Sequence, residues 1–241
     1  MRTLISAILA VAVGAGSLAS FAPPTTFLAH VTGHGRAVIL IPGLTSPTSV
    51  WTRTVEHLRD RATCHVLEIA GFAGTPPVRD PSLARTKEEL VKYLRDNRLA
   101  RPVLIGHSVG GFLAYWVAAT MPDEIAGVLS LEGAAFLPAL FNPAASVETM
   151  RTQADQMRAG IRGATRTGFA KQSDAQLAAQ IGNERARVEM APLAAKSDPA
   201  TTAEFLYGLF TTDLRDDVAA ISAPVLLLVG TAGIAPAARP L

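Results

Sequence analysis

The sequence predicts an α/β fold in which a mostly parallel β-sheet is flanked by helices. Three observations lead to this prediction. Uninterrupted apolar runs alternate with helical segments along most of the chain. Short joints rich in glycine and proline connect them, and one run ends in a Gly-x-Ser-x-Gly turn that leads into an apolar helix. An uninterrupted apolar run is typical of a strand that is covered on both faces, as in a parallel sheet.

The predicted elements follow one another as strand, helix and strand. The strongest strand signals lie at residues 37–41, 64–70, 102–106, 125–131 and 223–230. A weaker edge strand at 27–31 is followed by a glycine-rich turn at 33–35, which suggests an edge hairpin with the first strong strand. Helical spacing of apolar residues predicts a first helix with Trp51 and Val55, an amphipathic helix at 82–99 and a central apolar helix at 109–120.

The pattern changes between residues 138 and 211. Segments 146–161, 173–181 and 197–210 have helix-capping residues at their starts and no strand signal between them. We interpret this stretch as a helical lid inserted above the carboxyl end of the sheet. The domain prediction is therefore a signal peptide at 1–20, a first part of the core at 21–137, the lid at 138–211 and an incomplete last part of the core at 212–241.

The N-terminus and the composition restrict the class of protein. A single positive charge, a short apolar run and a small-residue cleavage site around Ser17–Ala19 indicate a secretory signal peptide, with a short membrane anchor as the alternative. We therefore expect a secreted or periplasmic protein without stable membrane insertion after cleavage. The net charge of +2 does not favour nucleic acid as a partner, and Cys64 is the only cysteine, which excludes a disulfide framework.

The Gly-x-Ser-x-Gly turn at residues 106–110 carries the chemistry. It lies between a buried strand and a helix, which is the context in which this pattern presents a serine above the edge of a sheet. The turn is strained, so the positions two before and two after Ser108 must lack bulky side chains. Ser108 is therefore the candidate nucleophile.

Four segments in this order and spacing resemble the α/β-hydrolase family, in particular its esterase-like and lipase-like members. They are residues 40–44 with Trp51, the loop 70–74, the turn 106–111 and residues 221–226. The resemblance implies that Ser108 attacks an ester-like or other acyl bond of a small, apolar substrate. It also implies an oxyanion hole formed by the backbone N–H groups of Leu44 and Val109, with Gly43, Phe72 and His107 beside the substrate. No cofactor or metal is implied.

The sequence departs from the family at the partners of the serine. The family usually places the acid after the strand that matches 225–229, where this chain has Gly230, and places a histidine later still. None of the five histidines, at positions 30, 34, 57, 65 and 107, follows Ser108. We therefore expect the catalytic base to be absent and the last strand and helix of the fold to be missing, which leaves 225–229 as an exposed apolar edge.

Substitutes for the missing groups are few. Glu132 is the candidate acid, with a loop or cap carboxylate as the alternative. His107 is adjacent to Ser108, so its side chain should point away from the serine, where it packs or polarises. The other histidines are expected to be structural or solvated.

The lid leaves further alternatives open. Its five cations could steer an anionic substrate or form a solvated face: Arg151, Arg158, Arg162, Arg166 and Lys171. Its apolar residues could line an acyl pocket or form the lid core: Met150, Met157, Phe169, Leu206 and Phe210. The competing functional hypotheses are a non-catalytic hydrolase-fold protein that binds a ligand or partner, and a serine whose base comes from a separate chain. The oligomeric state is not indicated.

Overall fold

The computed structural model describes residues 25–230, so the predicted signal peptide and residues 231–241 lie outside the described part of the chain. Each strong apolar run forms a strand. The strands are β1 (Phe27–Gly33), β2 (Arg36–Ile41), β3 (Ala62–Ile69), β4 (Val103–His107), β5 (Gly127–Leu131) and β6 (Val225–Leu228). The fold prediction of a mostly parallel sheet flanked by helices is confirmed.

The six strands form one sheet in the order β1-β3-β2-β4-β5-β6. All neighbours are parallel except β1 and β3, which pair antiparallel with Phe27 opposite Ile69. The expected edge hairpin is wrong, because β1 pairs with β3 and not with β2, the strand that follows its turn. The first residue of the hairpin turn, Gly33, instead lies against the backbone of Arg59 and Ala62.

Helices cover both faces of the sheet. Helix α1 (Thr52–Leu58) lies on one face, and α2 (Leu83–Asp96) and α3 (Val109–Thr120) lie on the other. Successive side chains of β2 point to opposite faces of the sheet, so both helix layers have apolar partners. Val38 and Leu40 pack beside Trp51, whereas Ile39 and Ile41 pack with α2 and α3. Cys64 belongs to the α1 side and is fully buried, which raises the pKa of its thiol.

Four helices separate β5 from β6. They are α4 (Val147–Arg162), α5 (Arg166–Gln180), α6 (Glu184–Ala194) and α7 (Pro199–Thr211). Two sequence expectations are wrong here. The second helix begins seven residues before Ser173, because the Thr165 side chain caps it by accepting from the Gly168 N–H. The third was missed, because Pro192 lies inside it and its Asn183 cap follows directly after a glycine.

Strand β6 is the outermost strand of the described sheet on its side. It pairs with β5 from Val128↔Val225 to Leu131↔Leu228, and the side chains of residues 225–229 are 44–52% exposed. An apolar strand is therefore accessible to solvent, as expected from the sequence. Among residues 25–230, none of the helices is long and apolar enough to cross a membrane.

Candidate active site

Ser108 occupies a strained position between β4 and α3. Its backbone has φ 53° and ψ −116°, a conformation that residues other than glycine rarely adopt. The Ser108 N–H donates to the Leu131 carbonyl at 2.8 Å, and its carbonyl accepts from the Phe112 N–H at 3.0 Å. These two hydrogen bonds hold the turn at the carboxyl edge of the sheet, where the prediction placed it.

The two glycines of the motif are required by lack of space. A Cβ on Gly106 would lie 2.1 Å from the Gly110 carbonyl oxygen, and a Cβ on Gly110 would lie 2.3 Å from the Ile41 carbonyl oxygen. Backbone atoms cannot move away as a flexible side chain can. The turn therefore tolerates only glycine at both positions.

Gly111, Ser130 and Gly133 form a second tight contact behind the turn, which sequence reasoning missed. A Cβ on Gly111 would lie 2.3 Å from Ser130 Oγ, and one on Gly133 would lie 2.4 Å from the same atom. Ser130 is fully buried, and its hydroxyl donates to the Gly133 carbonyl at 3.4 Å. The second glycine, Gly111, was the sequence signal for this contact, because the Gly-x-Ser-x-Gly motif itself requires glycine only at position 110.

The predicted oxyanion donors directly follow two neighbouring strands, β2 and β4. Ile41 at the end of β2 is in register with Gly106 of β4, so the loop carrying Leu44 starts beside the serine turn. Val109 is the first residue of α3, where a backbone N–H has no partner within the helix. Within the described residues neither the Leu44 nor the Val109 N–H makes a hydrogen bond. Both groups are thus available to a ligand, and their oxyanion role remains a prediction.

His107 points to the oxyanion loop. A Cβ on Gly43 would lie 2.5 Å from His107 Nδ1 and 3.0 Å from its Cε1, so the imidazole lies against the Gly43 backbone. Burial lowers the pKa of His107 below its ordinary value of 6.5, while the Glu132 carboxylate acts in the opposite direction. The ring is therefore neutral near neutral pH.

Glu132 directly follows β5 and lies at the end of β6. Its backbone has φ 57°, its N–H donates to the Leu228 carbonyl at 2.8 Å, and its Oε1 accepts from the Gly230 N–H at 3.1 Å. The carboxylate thus lies at the same edge of the sheet as Ser108 and acts electrostatically on His107. Its role as the acid remains a prediction.

The other four histidines of the described structure lie on β1, β3, α1 and the turn after β1. His30 on β1 bonds to Glu68 on β3. Strand β1 lies three strand spacings from β4, or about 14 Å at about 4.8 Å per spacing. His57 is exposed on α1 and bonds to the Arg53 carbonyl. His65 lies buried in β3, and the exposed His34 lies in the turn after β1. None of them therefore serves as a base for Ser108 in this arrangement.

Phe72 connects the core to the helices between β5 and β6, the predicted lid. It is 1% exposed and packs edge-to-face against Phe205 of α7 with ring centroids 5.0 Å apart. Beside it, the Ala73 N–H donates to Ser197 Oγ at 2.8 Å, and the Asp198 N–H donates to the Gly71 carbonyl at 2.7 Å. The sequence predicted Phe72 as a pocket wall, and that role remains a prediction. The anchor through Ser197 was missed.

The profile of the alpha/beta hydrolase fold matches residues 36–233. The chain belongs to the alpha/beta hydrolase family. The family resemblance inferred from the sequence is confirmed. The match spans the serine turn, all four lid helices and strands β2 to β6.

Two relatives of this hydrolase-family chain are esterases by name. It is 25% identical over 224 residues to the pimeloyl-(acyl-carrier protein) methyl ester esterase of Vibrio cholerae serotype O1. The aligned region covers 86% of this chain and 80% of that protein. It is 27% identical over 157 residues to the biotin biosynthesis bifunctional protein BioHC of Cellvibrio japonicus. That match covers 63% of this chain but only 30% of the bifunctional protein.

Solved structures share the fold. The enol-lactonase from Burkholderia xenovorans LB400 superposes with a TM-score of 0.67 at 19% identity, over 88% of this chain and 81% of that chain. Family membership and the esterase relatives support a hydrolase activity for the chain.

Three of the five lid cations of this hydrolase-family chain are used within the lid. Arg158 pairs with Asp155 and stacks over the Tyr207 ring, Arg162 pairs with Glu204, and Arg166 donates to the Ser197 carbonyl. These contacts favour a structural role for them over the steering of an anionic substrate. Phe169 is 3% exposed in a small cluster with Ile161 and Ala203, which places it in the lid core.

Proposed function

We propose that the chain is a serine hydrolase that attacks an ester-like or other acyl bond through Ser108. The observation that carries this proposal is the strained Ser108 backbone, held between two glycines that have no room for a side chain. Strain of this kind is kept where the surrounding structure over-determines it, and it concentrates at functional sites.

The two free N–H groups support the same reaction. Attack on an acyl carbon places negative charge on the former carbonyl oxygen, and fixed backbone donors stabilise that charge without reorganising. Leu44 and Val109 supply such donors on adjacent sides of the turn. The N-terminus of α3, a helix of 12 residues, adds a positive dipole end at the same place.

The substrate is proposed to be small and largely apolar. Half-buried apolar side chains from the loop after β2, the loop after β5 and α7 pack on the core near the carboxyl edge of the sheet, namely Leu44, Ala135, Leu137, Leu206 and Phe210. These apolar side chains would suit an acyl chain.

The rate of the polypeptide 1–241 is proposed to be low, because His107 lies against Gly43 and the four other histidines of the described residues lie away from Ser108. In a serine protease, removal of the base costs about a million-fold in rate and leaves roughly a thousand-fold acceleration over water. An export route also belongs to the proposal and is supported only by the sequence of residues 1–20.

A fluorophosphonate probe tests this function. The purified chain should be labelled slowly at Ser108, as located by peptide mass spectrometry, and the Ser108→Ala variant should not be labelled at that site. The same pair of proteins should differ in slow hydrolysis of an activated apolar ester such as p-nitrophenyl butyrate.

Two results would contradict parts of this proposal. Rapid stoichiometric labelling of Ser108 would show that the serine is activated by a base. No labelling of folded protein at high probe concentration would remove the nucleophile role and favour a non-catalytic, ligand-binding protein.

A further inference from the structure

The contact between His107 and Gly43 links the serine turn to the oxyanion loop. The two residues lie at the ends of adjacent parallel strands, since Ile41 is in register with Gly106. The His107 ring fills the space that a side chain at position 43 would need, with its Nδ1 only 2.5 Å from the ideal Cβ position. Residue 43 must therefore be glycine as long as position 107 carries a ring.

Hydrogen bonds within the oxyanion loop hold its shape, and the Leu44 side chain packs on the core. The loop closes on itself, because the Ser46 N–H donates to the Gly43 carbonyl at 3.1 Å and the Thr45 hydroxyl donates to the Leu44 carbonyl at 2.7 Å. Both bonds lie within the loop and do not connect it to the turn of Ser108. The His107 imidazole is a side chain from the strand that carries the serine, and it contacts the Gly43 backbone.

We propose that His107 is a positioning residue whose planar ring sets the distance of the Leu44 N–H from Ser108. This inference rests on the proposed function and assigns to His107 a role other than base or substrate contact. Catalytic donors must be held to within about 0.5 Å of the productive position. A rigid ring packed against Gly43 provides that precision, whereas a smaller side chain would let the oxyanion loop move toward β4.

A double-mutant cycle between positions 43 and 107 tests the contact. The variants are Gly43→Ala, His107→Ala and the double variant, with the exposed His57→Ala as the matched control. The free energy of unfolding in urea should show coupling, because the methyl group that Gly43→Ala introduces clashes with the ring in the single variant and fits the vacated space in the double variant. Additive effects on stability would show that the contact does not exist and would overturn the proposal.

The positioning role is tested on the same proteins with the fluorophosphonate probe. The maximal inactivation rate constant of His107→Ala should fall about ten- to hundredfold, because loss of a well-placed oxyanion donor costs about a hundredfold or more. The half-saturating probe concentration should change less than about twofold, since only the transition state uses the donor. His107→Phe, which restores a planar ring, should recover a large part of the lost rate.

The outcomes separate this inference from the proposed function. Stability coupling with an unchanged inactivation rate in His107→Ala would mean that the ring only packs, and the positioning role would be overturned while Ser108 remains the nucleophile. Failure of the parent chain to be labelled at Ser108 would instead overturn the proposed function and the positioning role with it.

Discussion

At the scale of single residues, the backbone at Ser108 holds strain that a change of side chain can release. Glycine adopts φ values near 53° without steric cost, whereas serine and alanine both carry a Cβ. The strain therefore belongs to the presence of the Cβ and not to the hydroxyl group.

Replacement of Ser108 by glycine should stabilise the fold by about 1 kcal/mol. The matched variant Ser108→Ala keeps the Cβ and should stay within about 0.5 kcal/mol of the parent. Urea unfolding of the three proteins measures the difference. Equal stability of the glycine and alanine variants would show that the turn is relaxed.

Crowding around the turn gives a second prediction. Gly106→Ala should lower the free energy of unfolding by about 3 kcal/mol or more, because its methyl group would meet the Gly110 carbonyl oxygen at 2.1 Å. Gly160→Ala is the control, since that glycine lies near the end of α4 with nothing within 4 Å of the added carbon. It should raise stability by about 0.5–1 kcal/mol through helix propensity. A mild effect at Gly106 would be incompatible with the described turn.

The serine turn was predictable from the sequence because its motif follows an apolar strand and precedes a helix. The contact of Ser130 with Gly111 and Gly133 was not, because it joins a helix, a strand and a loop that only the fold brings together. His107 was predicted to point away from Ser108, and the family resemblance placed it beside the substrate together with Gly43. Its contact with Gly43 depends on the register of β2 and β4, which the sequence does not encode locally.

At the scale of elements, β6 is an aliphatic strand with one free edge in the described structure. Unpaired backbone groups on an apolar strand are a template for pairing with another chain. Leu227 is 48% exposed, whereas Val128 of the adjacent β5 is 3% exposed.

Leu227→Lys should raise the temperature at which aggregation begins in a light-scattering experiment, because a charged side chain on an edge opposes pairing. The free energy of unfolding should change by less than about 1 kcal/mol. Val128→Lys, the control, should destabilise by about 3 kcal/mol or more because it buries an unpaired charge. Equal destabilisation by both substitutions would show that β6 is covered.

The elements that the sequence missed share a physical cause. Helix α6 contains Pro192 and has few buried side chains, so neither its composition nor its periodicity distinguishes it from a loop. The partner of β1 was wrong because a turn between two strands does not require them to pair. Pairing with β3 instead joins strands that are separated by the whole of β2 and α1.

At the scale of the whole molecule, buried His65 and half-buried His107 make stability depend on pH. Burial lowers the pKa values of His65 and His107 below 6.5 in the folded state. The unfolded chain keeps the ordinary value and therefore binds more protons as the pH falls through that range. Folding stability is fully present above the unfolded pKa and decreases as the pH falls toward the folded pKa.

The free energy of unfolding should therefore decrease between about pH 7 and about pH 5. The double variant His65→Phe with Tyr93→Phe should show a shallower decrease, since it removes one buried imidazole together with its 2.8 Å hydrogen-bond partner. Tyr93→Phe alone keeps the imidazole and should retain the steeper dependence. Identical slopes for all three proteins in urea unfolding would contradict the burial of a titrating His65.

The fold class could be predicted from the order of strands and helices and from four short motifs, and the family match confirms it. The reason is that buried parallel strands have a distinct composition. The attachment of the lid could not be predicted, because Ser197 and Phe205 meet Ala73 and Phe72 only after more than a hundred intervening residues have folded.

The packing of Ser130 against two glycines has a consequence for how such sequences diverge. Gly111, Ser130 and Gly133 share one small volume, so a larger residue at any one of them requires a compensating change at another. In a set of homologous sequences, these three positions should vary together rather than independently. The serine at position 130 would then be inherited with the second glycine after the turn, although neither residue touches the reacting group.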